Sequence, residues 1–290
     1  MNIAHWKLPL VLPAAVALLW MPALAAEKTE RLVAIGGPVT EIVYALGAGA
    51  QLVAVDSSSV YPEAATKLPQ VGYQRALSAE GVLSVKPTLI VASTEAGPPP
   101  VVAQLKASGI PFVQAPADHT VAGAKAKIEA VAKALGKEKE GAALCAELDK
   151  KIATVASRLP ATGSKPKVLF IYARGAGTMN IAGTNTAADA VIALAGGVNA
   201  VTGYDGYKPM TPEALAAAAP DVILIPDRGL ESIGGRDGLL KQPGVALTPA
   251  AKNGRIVAMD DLLLLGFSPR LGDAVDQLSK ALHPSLANSK

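Results

Sequence analysis

The residues of this chain best suited to chemistry are a tyrosine and an arginine two positions apart, Tyr73 and Arg75, in a segment marked by Gly72. In an extended stretch, side chains at i and i+2 point to the same side, so the Arg75 cation can lie against the Tyr73 oxygen. A nearby cation stabilises the phenolate form of tyrosine, and a bound ferric ion does so further. Phenolate is a hard oxygen donor, and tyrosine is a known axial ligand of haem iron. The alternative is a loop tyrosine packed on its own lobe beside a solvated arginine, and the pair alone leaves both interpretations open.

The first 25 residues have the composition of a secretory signal peptide. Lys7 supplies the basic region, residues 8–21 form an apolar region broken by prolines, and Ala23-Leu24-Ala25 is a small-x-small cleavage signal. We expect cleavage after Ala25, with cleavage after Ala26 as the alternative. No cysteine follows the apolar region at this site, so we expect no lipid anchor. The predicted location is the bacterial periplasm.

The charge and composition of the chain argue against some functions and against a disulfide. Loss of Lys7 lowers the formal charge from +3 to +2, a balanced surface that does not indicate nucleic-acid binding. The mature chain would contain no tryptophan and only two histidines, His119 and His283. Cys145 is the only cysteine, so no internal disulfide can form, and its helical context predicts a small buried residue.

Short apolar runs alternate with helical patterns in both halves of the chain. Strands are predicted at residues 32–35, 52–55, 89–92, 112–114, 168–172, 222–225 and 256–259. Helices are predicted near residues 39–46, 79–85, 99–107, 187–194, 212–218 and 271–282. Near-continuous apolar strands separated by helices are typical of parallel sheets covered on both faces. The sequence therefore predicts an α/β fold with two Rossmann-like lobes, each built on a central, mostly parallel sheet.

A long helical pattern connects the two lobes. It runs from about residue 121 to 159, ends at Pro160, and contains Gly136 and Gly141 as the expected positions of a break. We therefore divide the chain into a signal peptide at 1–25, an N-terminal lobe at 26–120, an interlobe backbone helix at 121–160 and a C-terminal lobe at 161–290. A helical connection limits hinge motion, because stretching a helix breaks its hydrogen bonds.

One internal repeat relates the lobes. Ser78-Ala79-Glu80 and Thr211-Pro212-Glu213 each place a hydroxyl N-cap before a helix with a glutamate at its second position. Seven residues after each glutamate a proline ends the helix, and an apolar strand follows. The two lobes are therefore predicted to be copies of one plan.

Taken together, these motifs resemble the substrate-binding proteins of bacterial iron, cobalamin and haem ABC importers, and most of all the haem branch. The resemblance covers nearly all of the mature chain, and its order and spacing are more specific than any single piece. Its marks are Arg31-Leu32-Val33, Thr40-Glu41-Ile42, Val71-Gly72-Tyr73-Gln74-Arg75, Leu77-Ser78-Ala79-Glu80-Gly81, the run from Thr94 to Pro100, Ala182-Gly183, Thr186-Ala187-Ala188-Asp189-Ala190, Gly196-Gly197 and Gly206-Tyr207-Lys208-Pro209.

The resemblance implies that ferric haem b is the transported ligand, held in a cleft between the lobes. Tyr73 matches the family's iron ligand, Arg75 matches the arginine that hydrogen-bonds the phenolate, and Arg228 matches an arginine that contacts haem from the second lobe. For Arg228, a solvated loop charge is the alternative interpretation.

The resemblance also implies a partner. Glu80 and Glu213 match exposed glutamates, one per lobe, that dock with arginines of an ABC permease dimer driven by its ATPase. A glutamate in the first helical turn is also favoured by the helix dipole alone, by about 0.3–1 kcal/mol, without any partner. We further expect a monomer, with an outer-membrane haem receptor acting upstream.

One departure from the family concerns the number of haems. Some relatives hold two stacked haems, the second bound by a histidine just before the Thr-Ala-Ala-Asp-Ala run, where this chain has Asn185. Asparagine is a poor iron ligand, so one haem per protein is predicted. Core packing is the expected role of Tyr172 and Met179, with an approach to the cleft as the alternative.

Three other classes of protein are the alternatives. A zinc or manganese carrier would need several converging His and carboxylate ligands, and His119, expected to cap a helix or be solvated, lies far along the chain from His283. A ferric-siderophore or cobalamin carrier would share the fold. Siderophore clefts usually contain more basic and aromatic groups, and cobalamin contacts depend on tryptophan, which the mature chain lacks. An enzyme is not indicated, because no Gly-x-Ser-x-Gly elbow, Walker loop or Cys–His pair is present.

Overall fold

The structure is a computed structural model that describes residues 30–160, 165–175 and 179–288. The predicted signal peptide and its cleavage site lie outside the described residues. Across those three ranges, no helix has the length and apolar character required to cross a membrane.

The N-terminal lobe follows the predicted alternation of strands and helices. Its strands are β1 Leu32–Ile35, β2 Leu52–Val55, β3 Gly72–Tyr73, β4 Ala76–Leu77, β5 Leu89–Ser93 and β6 Phe112–Ala115. Its helices are α1 Gly37–Ala45, α2 Ala79–Ser84 and α3 Pro99–Ala107, with 3₁₀ turns at Gly49–Gln51 and Glu63–Lys67. Strands β2, β1, β5 and β6 form a parallel sheet in that order, and β3 pairs with β4 as a separate hairpin.

The C-terminal lobe repeats this plan with added antiparallel strands. Its strands are β7 Lys167–Ala173, β8 Met179–Ala182, β9 Val198–Asn199, β10 Tyr207–Pro209, β11 Val222–Pro226 and β12 Ile256–Met259. Two helices, α4 Val121–Ala134 and α5 Glu138–Arg158, connect the lobes. The helices of the C-terminal lobe are α6 Ala187–Leu194, α7 Pro212–Ala218, α8 Asp227–Ser232, α9 Gly235–Leu240, α10 Pro249–Lys252, α11 Asp261–Leu265 and α12 Leu271–Leu282. This lobe also has 3₁₀ turns at Val245–Leu247 and Pro284–Asn288. Strand β7 is parallel to β9 and β11, β11 is parallel to β12, and β8 and β10 extend the sheet in antiparallel fashion.

The central strands β1, β5 and β11 are buried on both faces, which explains their apolar composition. In β1, Leu32 and Ala34 pack into one apolar cluster while Val33 and Ile35 pack into another on the opposite face. Every residue of β5 and β11 is buried as well. Because side chains alternate between the two faces of a strand, such runs need apolar residues at every position. The predicted fold class is confirmed.

The connection between the lobes differs from a single helix. Helix α4 ends at Ala134 and α5 begins at Glu138, and the chain turns at Gly136, whose φ is +62°. Gly136 was an expected break. Gly141 was the other, but it lies within α5 and permits close packing, since an added Cβ would stand 2.5 Å from the Cβ of Ala132. The bridge is therefore a packed pair of helices, and Cys145 is buried in it as predicted.

A buried ion pair fixes the two lobes to each other. Glu41 of α1 is only 3% exposed, and Arg270, just before α12, donates to its two oxygens at 2.9 and 2.7 Å. Ser268 donates a third hydrogen bond to Glu41 at 2.5 Å, and the Arg270 guanidinium stacks 3.6 Å from the centre of the Tyr61 ring. Such a carboxylate is satisfied only while its partners from the other lobe remain in place.

A buried lysine adds to the same contact. Lys127 of α4 is 4% exposed, and its Nζ donates to the backbone oxygens of Gly266 at 2.8 Å and Phe267 at 3.2 Å. Burial lowers the pKa of Lys127 to about 8. We call Glu41, Lys127, Ser268 and Arg270 the interlobe clasp.

The lowered pKa of Lys127 predicts a change in the stability of the folded protein at alkaline pH. Between about pH 8 and the ordinary lysine pKa near 10.4, the unfolded chain binds a proton at Lys127 that the folded protein has released. The contribution of Lys127 to stability should therefore rise with pH across this window, by on the order of 3 kcal/mol. Urea unfolding of the wild type and Lys127→Met at a series of pH values measures this difference.

The control for this prediction is Lys133→Met, which removes an exposed lysine of the same helix. Its stability difference from the wild type should not change across the window. A Lys127→Met difference that is equally flat would contradict the prediction.

Candidate functional site

A cleft of about 880 Å³ lies between the two lobes. Its lining residues follow the carboxyl ends of parallel strands in both sheets, which is where open α/β sheets bind ligands. After β2, β5 and β6 come Ser57, Glu95 and His119, and after β7, β11 and β12 come Arg174, Arg228 and Asp261. The volume is within the usual range for small-molecule sites, about 300–1,000 Å³.

Tyr73 and Arg75 both line this cleft, as the sequence predicted. Arg75 Nη1 donates to Tyr73 Oη at 3.1 Å. The local structure differs from the expected extended stretch, because Gln74 and Arg75 form the two-residue turn between β3 and β4. Gly72, with φ of +104°, adopts a backbone conformation there that other residues rarely reach.

Glu95 is a part of the site that sequence reasoning missed. Its Oε1 lies 2.6 Å from Arg75 Nη2, so Arg75 is held between a carboxylate and the Tyr73 hydroxyl. Burial opposes the charge of Arg75, yet Coulombic attraction and hydrogen bonding with Glu95, and then hydrogen bonding with Tyr73, raise its pKa. In the sequence, Glu95 is noticeable only as part of the run from Thr94 to Pro100 that resembles the family, and the resemblance gave Glu95 no role.

Asp56 fixes the turn that carries Tyr73. It is fully buried, and its carboxylate accepts backbone hydrogen bonds from Gly36 at 2.8 Å and Gln74 at 3.2 Å. The Ser58 backbone and hydroxyl and the Ser59 hydroxyl donate to it as well, at 3.0, 2.7 and 3.0 Å. One carboxylate therefore holds the turn, the loop after β2 and the start of α1 together.

The opposite wall of the cleft is aromatic and basic. Tyr172, Arg174 and Tyr207 line it, and the Tyr172 and Tyr207 ring centres are 6.1 Å apart. Core packing was the expected role of Tyr172, with an approach to the cleft as the alternative, and the residue does both: it lines the cleft and contacts the apolar cluster. Tyr207 is 44% exposed as a residue, but burial of its hydroxyl among cleft atoms raises its pKa to about 12. Met179 packs against the core of the C-terminal lobe, as expected.

Arg228 also reaches the cleft. It lies in the first turn of the short helix α8 rather than in a loop, and its side chain is 58% exposed. Its Nε is 3.9 Å from Asp261 Oδ1, too far for a hydrogen bond, so the guanidinium remains available to a ligand. Asn185, which stands where the sequence predicts that a second iron ligand is absent, lines the same space. Contact of Arg228 with a ligand stays a prediction.

His119 was expected to cap a helix or to be solvated; it does not cap a helix, and it is half-buried rather than fully exposed. The cap of α4 is Thr120, whose hydroxyl accepts from the Gly123 backbone at 2.8 Å. His119 instead lines the cleft, with its ring 5.5 Å from that of Phe267. Burial lowers the pKa of its imidazole, which favours the neutral form.

Glu80 and Glu213 lie outside the cleft. Both are exposed in the first turns of α2 and α7, whose N-caps are formed by Ser78 and Thr211 as the repeat predicted. The Ser78 and Thr211 hydroxyls accept from the backbone three residues on, at 3.3 and 3.2 Å. Matching exposed carboxylates are thus present on the two lobes.

A ligand cleft between two α/β lobes joined by packed helices defines a substrate-binding protein. Residues 32–263 match the family model for periplasmic binding proteins, and the chain belongs to this family. Family membership confirms the expectation of a binding protein rather than an enzyme. The resemblance to importer components is confirmed as well.

Within this family, the chain is similar to solved haem-binding proteins. It shares 46% identity with the periplasmic haem-binding protein RhuT of Roseiflexus sp. RS-1, over 89% of this chain and 99% of that one, with a TM-score of 0.86. It shares 46% identity over the same fractions with the periplasmic haem-binding protein BhuT in complex with two haems, with a TM-score of 0.82.

A shorter match links the chain to cobalamin carriers. The vitamin B12-binding protein of Yersinia pestis is 39% identical over 111 residues, which is 38% of this chain and 40% of that protein. The chain thus spans well under half of this relative.

Proposed function

We propose that this protein binds ferric haem in the interlobe cleft and delivers it to an ABC permease for uptake. The observation that carries the proposal is the Tyr73–Arg75 pair at the cleft surface, with the guanidinium 3.1 Å from the phenol oxygen. The similarity to haem-binding proteins along 89% of the chain supports it.

The residues of the cleft fit the chemistry of haem. Tyr73 offers an anionic oxygen to ferric iron, and Arg75 stabilises that anion. Val60, Leu262 and Leu265 supply apolar surface for the porphyrin faces. Arg228 supplies a cation for a propionate, in a charge-assisted hydrogen bond.

The second candidate is a ferric-siderophore or cobalamin carrier of the same fold. The match to a vitamin B12-binding protein favours it, but that match covers only 38% of this chain. The mature chain has no tryptophan, and the phenol–guanidinium pair suits ferric iron better than a corrin whose cobalt already has its own axial ligands.

A haem titration followed by absorbance tests the function. We expect the spectrum of a tyrosinate-bound ferric haem, saturating at one equivalent through Tyr73 because Asn185 replaces the histidine that holds a second haem in some relatives. Ferric siderophores and cobalamin, added in excess, should not displace the haem. Displacement by either at comparable concentration would favour the second candidate instead.

The cellular setting follows from the same proposal. The signal peptide at 1–25 would bring the chain to the periplasm, and a permease dimer with its ATPase would receive the haem. We infer a monomeric carrier, supplied by an outer-membrane haem receptor.

The docking role proposed for Glu80 and Glu213 predicts that their replacement lowers haem uptake without changing haem binding. Glu80→Arg combined with Glu213→Arg should lower haem uptake more than about 10-fold, because like charges would face the permease arginines at both contacts. The haem affinity should stay at the wild-type value, since both residues lie outside the cleft. Haem-dependent growth of an uptake-deficient strain and a parallel titration measure the two effects.

Glu129→Arg, at an exposed position of α4, is the matched charge-reversal control. It should leave uptake intact. Uptake that survives the double reversal as well would mean that the glutamates serve only their own helices.

A further inference from the structure

The Arg75 guanidinium is held on two sides, by the phenol of the proposed iron site and by a carboxylate. Its Nη1 donates to Tyr73 Oη at 3.1 Å, and its Nη2 donates to Glu95 Oε1 at 2.6 Å. Because a guanidinium is planar and rigid, a partner that fixes one nitrogen also fixes the direction of the other. Glu95 is therefore placed to direct Arg75 toward the Tyr73 oxygen.

Backbone hydrogen bonds hold Glu95 at this position. Its N–H donates to Ser93 Oγ at 3.1 Å, and Ser93 is a buried residue at the end of β5. Two residues later, Gly97 N donates to Gln74 O at 2.8 Å, and Leu77 N donates to Gly97 O at 2.9 Å. The loop that carries Glu95 is thus bonded both to the turn between β3 and β4 and to β4 itself. The carboxylate has a fixed place beside this hairpin.

Other titratable groups lie near this carboxylate, but none of them replaces Arg75. Across the described ranges, the Glu95 side chain forms an ion pair only with Arg75. Lys127 is close enough to interact with its charge, but the ammonium is bonded to backbone oxygens of the clasp segment. The imidazole of His119 interacts with it too, and burial favours the neutral form. From the opposite lobe comes the Tyr207 phenol, which the raised pKa keeps neutral.

The charge of Glu95 matters because binding of ferric iron removes a proton from the Tyr73 hydroxyl. The O–H bond breaks and its proton goes to solvent, while the oxygen–iron bond forms as a water molecule leaves the iron. A cation near the oxygen favours this step, and an anion near it opposes it. Arg75 and Glu95 therefore act in opposite directions. Arg174, which faces Tyr73 from the opposite lobe, adds a constant contribution.

We propose that Glu95 is a positioning residue with two effects: it directs Arg75 toward Tyr73, and its charge raises the pH that ferric haem requires to bind. The first effect strengthens the site, and the second keeps haem binding weaker than the Tyr73–Arg75 pair alone would make it. A carrier that must give up its cargo benefits from both. This proposal rests on haem being the ligand, and the experiment below separates the two claims.

Glu95→Gln tests the charge, because glutamine keeps an oxygen that accepts from Arg75. At a fixed haem concentration, the pH at which half of the protein binds haem should fall by about 0.5–1 unit. Below that pH the affinity should rise about 3- to 10-fold, since one proton is released for each haem bound. Haem titrations at a series of pH values, followed by the absorbance of the iron–phenolate complex, measure both quantities.

Glu95→Ala tests the positioning, because it removes the charge and the acceptor together. It should bind haem more weakly than Glu95→Gln at every pH. In an Arg75→Ala background the two variants should bind equally, since no guanidinium remains to be directed. The Glu95 side chain is 40% exposed, so these variants are expected to fold. Glu63→Gln, in the exposed pair with Lys67, is the matched control and should keep the wild-type pH profile.

Two results would overturn the proposal while leaving haem binding in place. A wild-type pH profile in Glu95→Gln would show that the charge has no effect on binding. Equal affinities of Glu95→Gln and Glu95→Ala would show that the carboxylate does not direct Arg75. If the wild type binds no haem, the proposed function fails, and this inference fails with it.

Discussion

Replacing Tyr73 with phenylalanine is expected to weaken ferric haem binding by more than about 100-fold. Loss of a group that only orients a metal ligand typically costs about 10- to 100-fold in metal affinity, and loss of the ligand itself should cost more. The ring and its packing would remain, so the change isolates the iron–oxygen bond. Haem titration and the rate of haem transfer to an excess of apomyoglobin measure the loss, and most of the high-spin ferric spectrum should disappear.

Two comparisons make this result specific. Tyr44→Phe removes a hydroxyl from a tyrosine outside the cleft and should leave affinity and spectrum unchanged. Arg75→Ala keeps the iron ligand but removes the hydrogen-bond donor 3.1 Å from it. Its haem affinity should therefore lie between those of Tyr44→Phe and Tyr73→Phe, and the pH dependence of haem binding should shift. Unchanged spectra in Tyr73→Phe would refute the assignment of the iron ligand.

Replacing Arg270 with alanine is expected to destabilise the protein by about 3–5 kcal/mol. The change leaves the Glu41 carboxylate, 3% exposed, without the two hydrogen bonds that Arg270 donates. A buried carboxylate that loses its partner keeps its desolvation cost without the compensating attraction. The free energy of unfolding in urea at neutral pH measures the effect.

Two controls separate burial from charge. Lys67→Ala breaks the exposed Glu63–Lys67 pair and should cost far less, because solvent already screens both groups. Adding Glu41→Leu to Arg270→Ala removes the stranded carboxylate and should restore part of the stability. A cost for Arg270→Ala no larger than that for Lys67→Ala would show that the pair contributes nothing to the fold.

Much of the fold was predictable because its signals are local. The strand at Leu32–Ile35 is apolar at every position, which a strand buried on both faces requires, and its bounds were predicted without error. The helix at Pro212–Ala218 carries its own N-cap in Thr211, so its start was readable as well. Such features depend only on neighbouring residues.

The site was predictable only where its chemistry is compact in sequence. Tyr73 and Arg75 are two residues apart, whereas Glu95 reaches Arg75 across 20 positions and Gln74 is fixed by Asp56 across 18. His119 gave the wrong signal because it precedes a helix, a position that suggests capping. Its place in the cleft depends on how α4 packs, which no nearby residue reveals.

The interlobe clasp has a consequence for how cargo leaves. Lys127 of the connecting helix α4 and Glu41 of the N-terminal lobe hold the segment from Gly266 to Arg270 in place, and Gly266 itself borders the cleft. Along that border the two walls of the cleft cannot separate without leaving the Glu41 carboxylate unpaired, so the cleft would widen by a rotation of the lobes about this border. The exit is therefore one-sided, and a membrane partner that empties this carrier has to engage the margin that is free to swing.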